Sequence, residues 1–394
     1  MRMRCAVGAV ILLVAATFVP PSFAQQENIT PASSAAEAKY NELMDRGFSA
    51  SATRDLSKAE AVYSQALALA DNFPGDNDIR VQMALGRLVV ILDGEDKYKE
   101  TEELYRRILA IQEKDYGVNS SDVALTLMNL SIATSMQKKY AESEAFAQRA
   151  IGIDKATLGD MHPVVASDLL HLANTYSDAG DQKKAEELYK EALHIKENTL
   201  QQDPISMLDV LNSLAACYCL EKNYAESGKV LDRVLPLVEK NFGPDHPEMA
   251  ESLSRMGCCQ AWQKHYDKAE SYLLRAEAIA TKYWGPDQGR VIPFHDKLAV
   301  NYRNEGKWAD AEREYKIAAE SAKEIWGATS PETAKRFKAL AECRQDQPSL
   351  TAATWAGTAS DKFVYSRPQL VKKPTHPSPS HPPVDKQTPS PEKK

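Results

Sequence analysis

The side chains best suited to chemistry in this chain are its cysteines. Cys217-Tyr218-Cys219 and Cys258-Cys259 form two close sets, and Cys343 follows later. Three roles are open to them. A metal centre needs three or four thiolates or imidazoles converging at bonding distance, but helical spacing sends Cys217 and Cys219 in different directions. In an oxidising compartment Cys217 could bond to Cys259, or Cys219 to Cys258, yet like positions on stacked helices lie about 10 Å apart, too far for a disulfide without movement. As small apolar side chains they would fill a core. That last role fits the spacing best, because Cys217, Cys259 and Cys343 share one helical register with Asn301.

The acids offer less. Pairs such as Glu102-Glu103 and Glu186-Glu187 recur at equivalent places and read as a solvated helix face, not as paired catalytic carboxylates. The sequence has no Gly-rich phosphate loop, no His-Glu-x-x-His, no Gly-x-Ser-x-Gly and no Cys-x-x-Cys. The expectation is therefore a chain that is not an enzyme and takes no cofactor or metal.

The elements that would position these residues repeat. Tyr98, Tyr140, Gln182, Tyr224, Tyr266 and Trp308 begin similar segments 42 residues apart, without an insertion. A column of small residues follows at Ala59, Thr101, Ser143, Ala185, Ser227, Ala269 and Ala311, and a Glu comes next in every unit except at Gly228. An apolar column at Leu88, Leu130, Leu172, Leu214, Met256 and Leu298 precedes it, with Arg46 as the departure in the first unit. Gly75, Gly117, Gly159, Gly243, Gly285 and Gly327 close the units, with Gln201 departing.

Each column has a physical reading. Leu169, Leu172 and Tyr176 mark one apolar helix face. The small residues let the second helix of a unit approach the first. The glycines end second helices in a left-handed closing residue. His162-Pro163, His246-Pro247 and Ser330-Pro331 start first helices, where proline is tolerated. No unit can bury its apolar faces alone, so the units must stack.

These residues resemble the tetratricopeptide repeat, in the 42-residue form of kinesin light chains and many bacterial proteins; Gly243-Pro-Asp-His-Pro247 and the Tyr-Ala-Glu starts carry the likeness. The resemblance implies an all-α fold: a right-handed superhelical solenoid of about seven helix-turn-helix repeats over residues 38–346. Phe337, Leu340 and Ala341 continue the first-helix columns, so Pro331 to Cys343 reads as a C-terminal capping helix. His295 is a further departure, at a place where Leu253 predicts an apolar residue.

In this family the first helices line the concave side, and their outward columns meet ligands. The residue before the apolar column is Asp45, Arg87, Asn129, His171, Ser213, Arg255 or Lys297, polar in every unit. Asn174, Asn212 and Arg303 fall on the same side by helical spacing. Asn bonds a peptide backbone in both directions, and Arg grips carboxylates. The resemblance thus implies a groove for a peptide or protein segment, carried by Arg87, Asn129, His171, Asn174, Asn212, Arg255, Lys297 and Arg303.

Composition agrees with a folded, extracytoplasmic scaffold. With 26% charged and 43% hydrophobic residues, wholesale disorder is excluded. Residues 1–24 read as a secretory signal: Arg2 and Arg4, an apolar run to Val19, then Ser22-Phe23-Ala24 before a cut. An uncleaved anchor is the alternative. Residues 25–37 are expected to be a flexible linker and 347–394 a disordered Pro-rich tail. Residues 362–394 carry seven Lys or Arg against two acids, so the body is strongly acidic and unsuited to nucleic acid. The partner expected is a protein or peptide, with weak electrostatic contact of the tail with an anionic envelope surface. The competing reading is a structural part of an envelope assembly, making contacts through the convex face, the solenoid ends or the tail.

Overall fold

The computed structural model describes residues 31–73, 79–199, 204–285 and 289–347. The signal segment 1–24, residues 25–30 of the linker, Gly75, Gln201 and the tail from 348 lie outside the described residues. The chain divides into a compact unit ending at Gln345 and a second beginning at Asp346. Among the described residues there are fifteen α-helices and no strand, and no helix is long and apolar enough to cross a membrane.

The helices pair in seven units. The pairs are α1 (Pro31–Ala52) with α2 (Leu56–Ala70), α3 (Ile79–Gly94) with α4 (Tyr98–Tyr116), and α5 (Ser121–Met136) with α6 (Tyr140–Leu158). Next come α7 (Pro163–Ala179) with α8 (Gln182–Thr199), and α9 (Leu208–Leu220) with α10 (Tyr224–Phe242). The last are α11 (Pro247–Trp262) with α12 (Tyr266–Trp284), and α13 (Ile292–Glu305) with α14 (Trp308–Trp326); α15 (Pro331–Asp346) closes the stack. From α1 to α14 each helix packs on its sequence neighbours, as the repeat requires, and Thr333 of α15 donates to the Ala322 carbonyl of α14 at 3.0 Å. The first helix starts at Pro31, so residues 31–37, expected as linker, are helical. Ser34-Ala35-Ala36-Glu37-Ala38 is rich in good helix formers, which explains the earlier start.

The small column does what its size suggests. Ala59, Thr101, Ser143, Ala185, Ser227, Ala269 and Ala311 are all fully buried. In two helix pairs a glycine admits a large side chain: Gly47 lies against Tyr63 and Gly257 against Leu273, and a methyl group added at Gly257 would come within 2.7 Å of Leu273 Cγ. His162 and His246 act as N-caps, each accepting a hydrogen bond at Nδ1 from the backbone N–H two residues on (3.2 Å).

The turns correct one expectation. Gly117, Gly159, Gly243, Gly285 and Gly327 have φ of 84–93° but ψ of 153–165°, which is not the left-handed helical cap. It is a region essentially closed to other residues, and this makes the glycine column obligatory. The left-handed residue lies instead in the turn inside each unit, where Arg54, Asp96, Lys138, Lys222 and Lys264 have φ of 59–64°, with Gly180 and Gly306 at the same register. His295 also finds its reason: its ring reaches Glu314 at 2.9 Å and Glu277 at 3.9 Å, joining α13 to the second helices on either side.

The recurring acids are not simply a solvated face. Glu102 is buried and bonded by Gln137, Lys139 and Arg106. Glu144, Glu186 and Glu270 accept hydrogen bonds from Tyr176, Tyr218 and Tyr302 in the following unit, at 2.5, 3.0 and 2.9 Å. Their work is to fasten one unit to the next.

Candidate functional site

The first helices approach one another directly, α5 to α7, α7 to α9 and α11 to α13, and together form one face of the stack. The polar column expected to point outward lies low between them. Asn129 is 3% exposed, and Arg87, His171, Asn212, Arg255, Lys297 and Arg303 are half-buried. Asn174 alone of the eight is exposed, and its Oδ1 already accepts from the Tyr189 hydroxyl at 2.7 Å.

Several of these side chains have partners in the protein. His171 Nε2 lies 3.2 Å from Ser131 Oγ, and burial pushes its imidazole down to about 4, so it is neutral at neutral pH. Lys297 donates to Ser254 Oγ at 2.5 Å and sits 5.3 Å from the centre of the Phe294 ring. Arg303 bonds the Tyr315 phenol. Two atoms differ: Asn212 Oδ1 and Arg255 Nη1 are buried without a hydrogen-bond partner among the described residues. They lie on neighbouring first helices, α9 and α11, and offer one acceptor and one donor.

Large apolar side chains are among the residues that do face outward. Phe48, Met83, Met136, Leu220, Trp262 and Val300 are 41–63% exposed and lie on six of the seven first helices, α7 being passed over. Sequence reasoning missed them because apolar positions in a helix were assigned to its core. The signal was present two helical turns beyond the polar column, where Met136, Leu220 and Trp262 share a register seven residues after Asn129, Ser213 and Arg255. Between α11 and α13 this face carries a pocket of about 160 Å³, walled by Cys258, Trp262, Lys297, Val300, Asn301 and Asn304. Trp262 is held flat against Tyr224, with ring centres 5.5 Å apart. An apolar notch rimmed by amide and ammonium groups and by the Asp296 carboxylate suits one aliphatic or aromatic side chain of an extended segment.

A wider hollow of about 680 Å³ lies elsewhere, between Lys183, Glu186, Lys190 and Glu221. Its charges pair with one another, Lys190 with Glu186 at 2.6 Å, and it is open to water. The cysteines group differently from either sequence pairing. Cys217 is buried, its thiol donating to the Gln182 carbonyl at 3.4 Å and pushed up to about 12 by burial. Cys259 and Cys343 are buried too, and Cys219 meets Cys259. Among the described residues no three His, Cys, Asp or Glu side chains converge to hold a metal.

The family model described as Tetratricopeptide repeat matches residues 83–156, 122–198 and 206–282. No curated protein matches the chain. Among solved structures, BtubC (BKLC) from P. vanneervenii is 19% identical, covering 58% of this chain and 92% of its own, with a TM-score of 0.51. A putative kinesin light chain from P. anserina with nearly identical TPR-like repeats is 22% identical over 51% of this chain and 95% of its own, TM-score 0.47. The apo quorum sensor NprR from B. thuringiensis is 14% identical over 79% and 82%, TM-score 0.51.

Proposed function

Because the chain belongs to the tetratricopeptide repeat family, whose fold is typical of protein–protein interaction scaffolds, we propose that it binds an extended peptide or protein segment along the face of its first helices and does no chemistry. The observation that carries this reading is the pair of buried, unpartnered polar atoms, Asn212 Oδ1 and Arg255 Nη1, under an apolar exposed rim. Buried polar groups are nearly always bonded. A peptide N–H and C=O would complete both, while Leu220, Trp262 and Val300 take its side chains. The reading also places the scaffold outside the cytoplasm, on the pattern of residues 1–24, with the basic tail resting on an anionic envelope surface.

A second reading has one observation in its favour. Tyr116, Leu158, Phe242, Tyr283 and Trp326, at the ends of second helices, are 39–60% exposed. An apolar edge of this kind suits a structural contact within an assembly.

The test uses four baits on native extract: residues 25–394, the same chain cut after Gln347, a groove variant (Leu220→Asp with Trp262→Asp) and an edge variant (Phe242→Ser with Tyr283→Ser). Retained proteins are then tiled as synthetic peptides and titrated by calorimetry. Loss of both protein and peptide binding in the groove variant alone is the expected result. Loss in the edge variant alone would move the function to the second reading. Loss on removing the tail alone would leave the helical stack as a spacer.

A further inference from the structure

The sulfur atoms of Cys219 and Cys259 are 3.5 Å apart. The two residues come from α9 and α11, the first helices of adjacent units, and are separated by 40 positions in sequence. Their registers differ by two residues, so the turn of the stack, not equivalence in the repeat, brings them together. The Ser227 hydroxyl, from the small column of α10, lies 3.2 Å from each sulfur. Arg255 faces Cys219 with its positive charge. Cys219 is partly exposed, whereas Cys259 is fully buried.

We propose that Cys219 and Cys259 are a reversible thiol–disulfide pair that locks the fifth unit to the sixth beside the groove. The co-reactant is a small disulfide of the glutathione class. The Cys219 thiolate attacks one sulfur of that disulfide, forming a mixed disulfide and releasing one thiolate. Cys259 then gives up its proton to the released thiolate and attacks Cys219 Sγ, expelling a second thiolate, which takes from solvent the proton that Cys219 had lost. One protein dithiol and one small disulfide thus become one protein disulfide and two small thiols, and two electrons pass to the co-reactant.

The asymmetry of the pair fits these roles. Hydrogen bonding from Cys259 lowers the Cys219 thiol to about 6; burial opposes this, while Ser227 and Arg255 assist. Cys259 is pushed far up, first by that same bond and then by burial. Cys219 is therefore the attacking thiol and Cys259 the resolving one. The remaining thiols are poor competitors. Cys217 is buried against the Gln182 carbonyl, the Cys343 side chain on α15 is buried in the core, and burial raises the half-buried Cys258 thiol.

The full reduced chain is equilibrated in glutathione buffers of rising disulfide fraction, acid-quenched, alkylated with iodoacetamide in denaturant so that buried thiols also react, and mapped by mass spectrometry without reduction. The expected result is joint loss of alkylation at Cys219 and Cys259 and one linked peptide joining them. In Cys259→Ser the reaction should stop with glutathione on Cys219, and in Cys219→Ser Cys259 should stay alkylatable. The proposal is overturned if both thiols survive a fully oxidised buffer, or if the linkage joins Cys217 or Cys258 instead. Wild-type mapping decides this even where a variant folds poorly.

Discussion

The Tyr302 hydroxyl donates to Glu270 Oε1 at 2.9 Å, across the boundary between the sixth and seventh units. Lys307 binds the other oxygen of the same carboxylate, also at 2.9 Å. Glu186 with Tyr218 repeats the arrangement two units earlier. Where the Glu is missing, at Gly228, the Tyr is missing as well, and Gln260 stands in its register. Gln260 turns instead to His265, at 3.0 Å.

This Glu–Tyr clamp, also made by Glu144 with Tyr176, gives a stability prediction. Tyr302→Phe should cost about 0.5–1.5 kcal/mol, the net worth of one hydrogen bond. Gly228→Glu and Gln260→Tyr should stabilise only when made together, with a coupling of about 0.5 kcal/mol or more in a double-mutant cycle. Urea unfolding of the four proteins measures it, and additive effects would mean the clamp does not form.

A second prediction concerns the turns inside each unit. Lys138 and Lys264 hold φ of 64°, where a Cβ costs about 1 kcal/mol. Lys264→Gly should raise the denaturant midpoint by an amount equal to about 0.5–1 kcal/mol. Gly243→Ala should lower it by about 1–3 kcal/mol, since φ of 91° with ψ of 165° is closed to alanine. Stability unchanged in both would show that the turns relax freely.

Packing between α11 and α12 gives a third. A methyl group at Gly257 would lie 2.7 Å from Leu273 Cγ and 3.2 Å from the Ala269 carbonyl oxygen. Gly257→Ala should destabilise by about 1–3 kcal/mol through overpacking. Adding Leu273→Ala should then cost less than Leu273→Ala does in the wild-type chain, because the new methyl group fills part of the cavity. A cost that simply adds would reject this account.

The fourth prediction is a pH dependence. Asp154 on α6 and Asp168 on α7 are both buried and share a hydrogen bond. Burial first, and then the charge of Asp154, hold the Asp168 carboxyl well above its ordinary range. The native state therefore binds a proton that the unfolded chain releases near pH 4. The resulting stability is complete below that value and is lost as pH rises toward the raised native one. Asp168→Asn keeps the bond without the proton. It should flatten the fall in urea midpoint between about pH 5 and pH 8 and stabilise most at the higher pH, and an unchanged slope would exclude Asp168 as its source.

Much of the fold is legible in the sequence. Burial of Ala59, Thr101, Ser143 and their equivalents follows from size alone, and Gly117 or Gly243 marks a unit end because no other residue takes that backbone. The cysteines at 217, 259 and 343 share a register and are buried together. These features depend only on contacts inside one unit, or on the equivalent contact made to the next, so a 42-residue spacing records them.

The groove was legible only in outline. Asn129 and Lys297 are polar and precede the core column, which in sequence suggests a ligand-facing place, yet one is buried and the other is bound to Ser254. Trp262 and Val300 carry the exposed face although their types suggest a core. Tyr176 was read as part of an apolar stripe, and only the stack shows that its hydroxyl reaches Glu144.

What the sequence determined by itself is the unit: its length, its two helices, its caps and the small residues between them. Tertiary structure decided what adjacent units bring together, including Cys219 beside Cys259, and the burial of Asn212 Oδ1 and Arg255 Nη1 without a hydrogen-bond partner among the described residues. The physical reason is that helical spacing fixes a side chain's direction about its own helix, while the rotation and offset from one unit to the next are set by packing over the whole interface. Residues of different register can therefore meet, and no single column of the sequence records it.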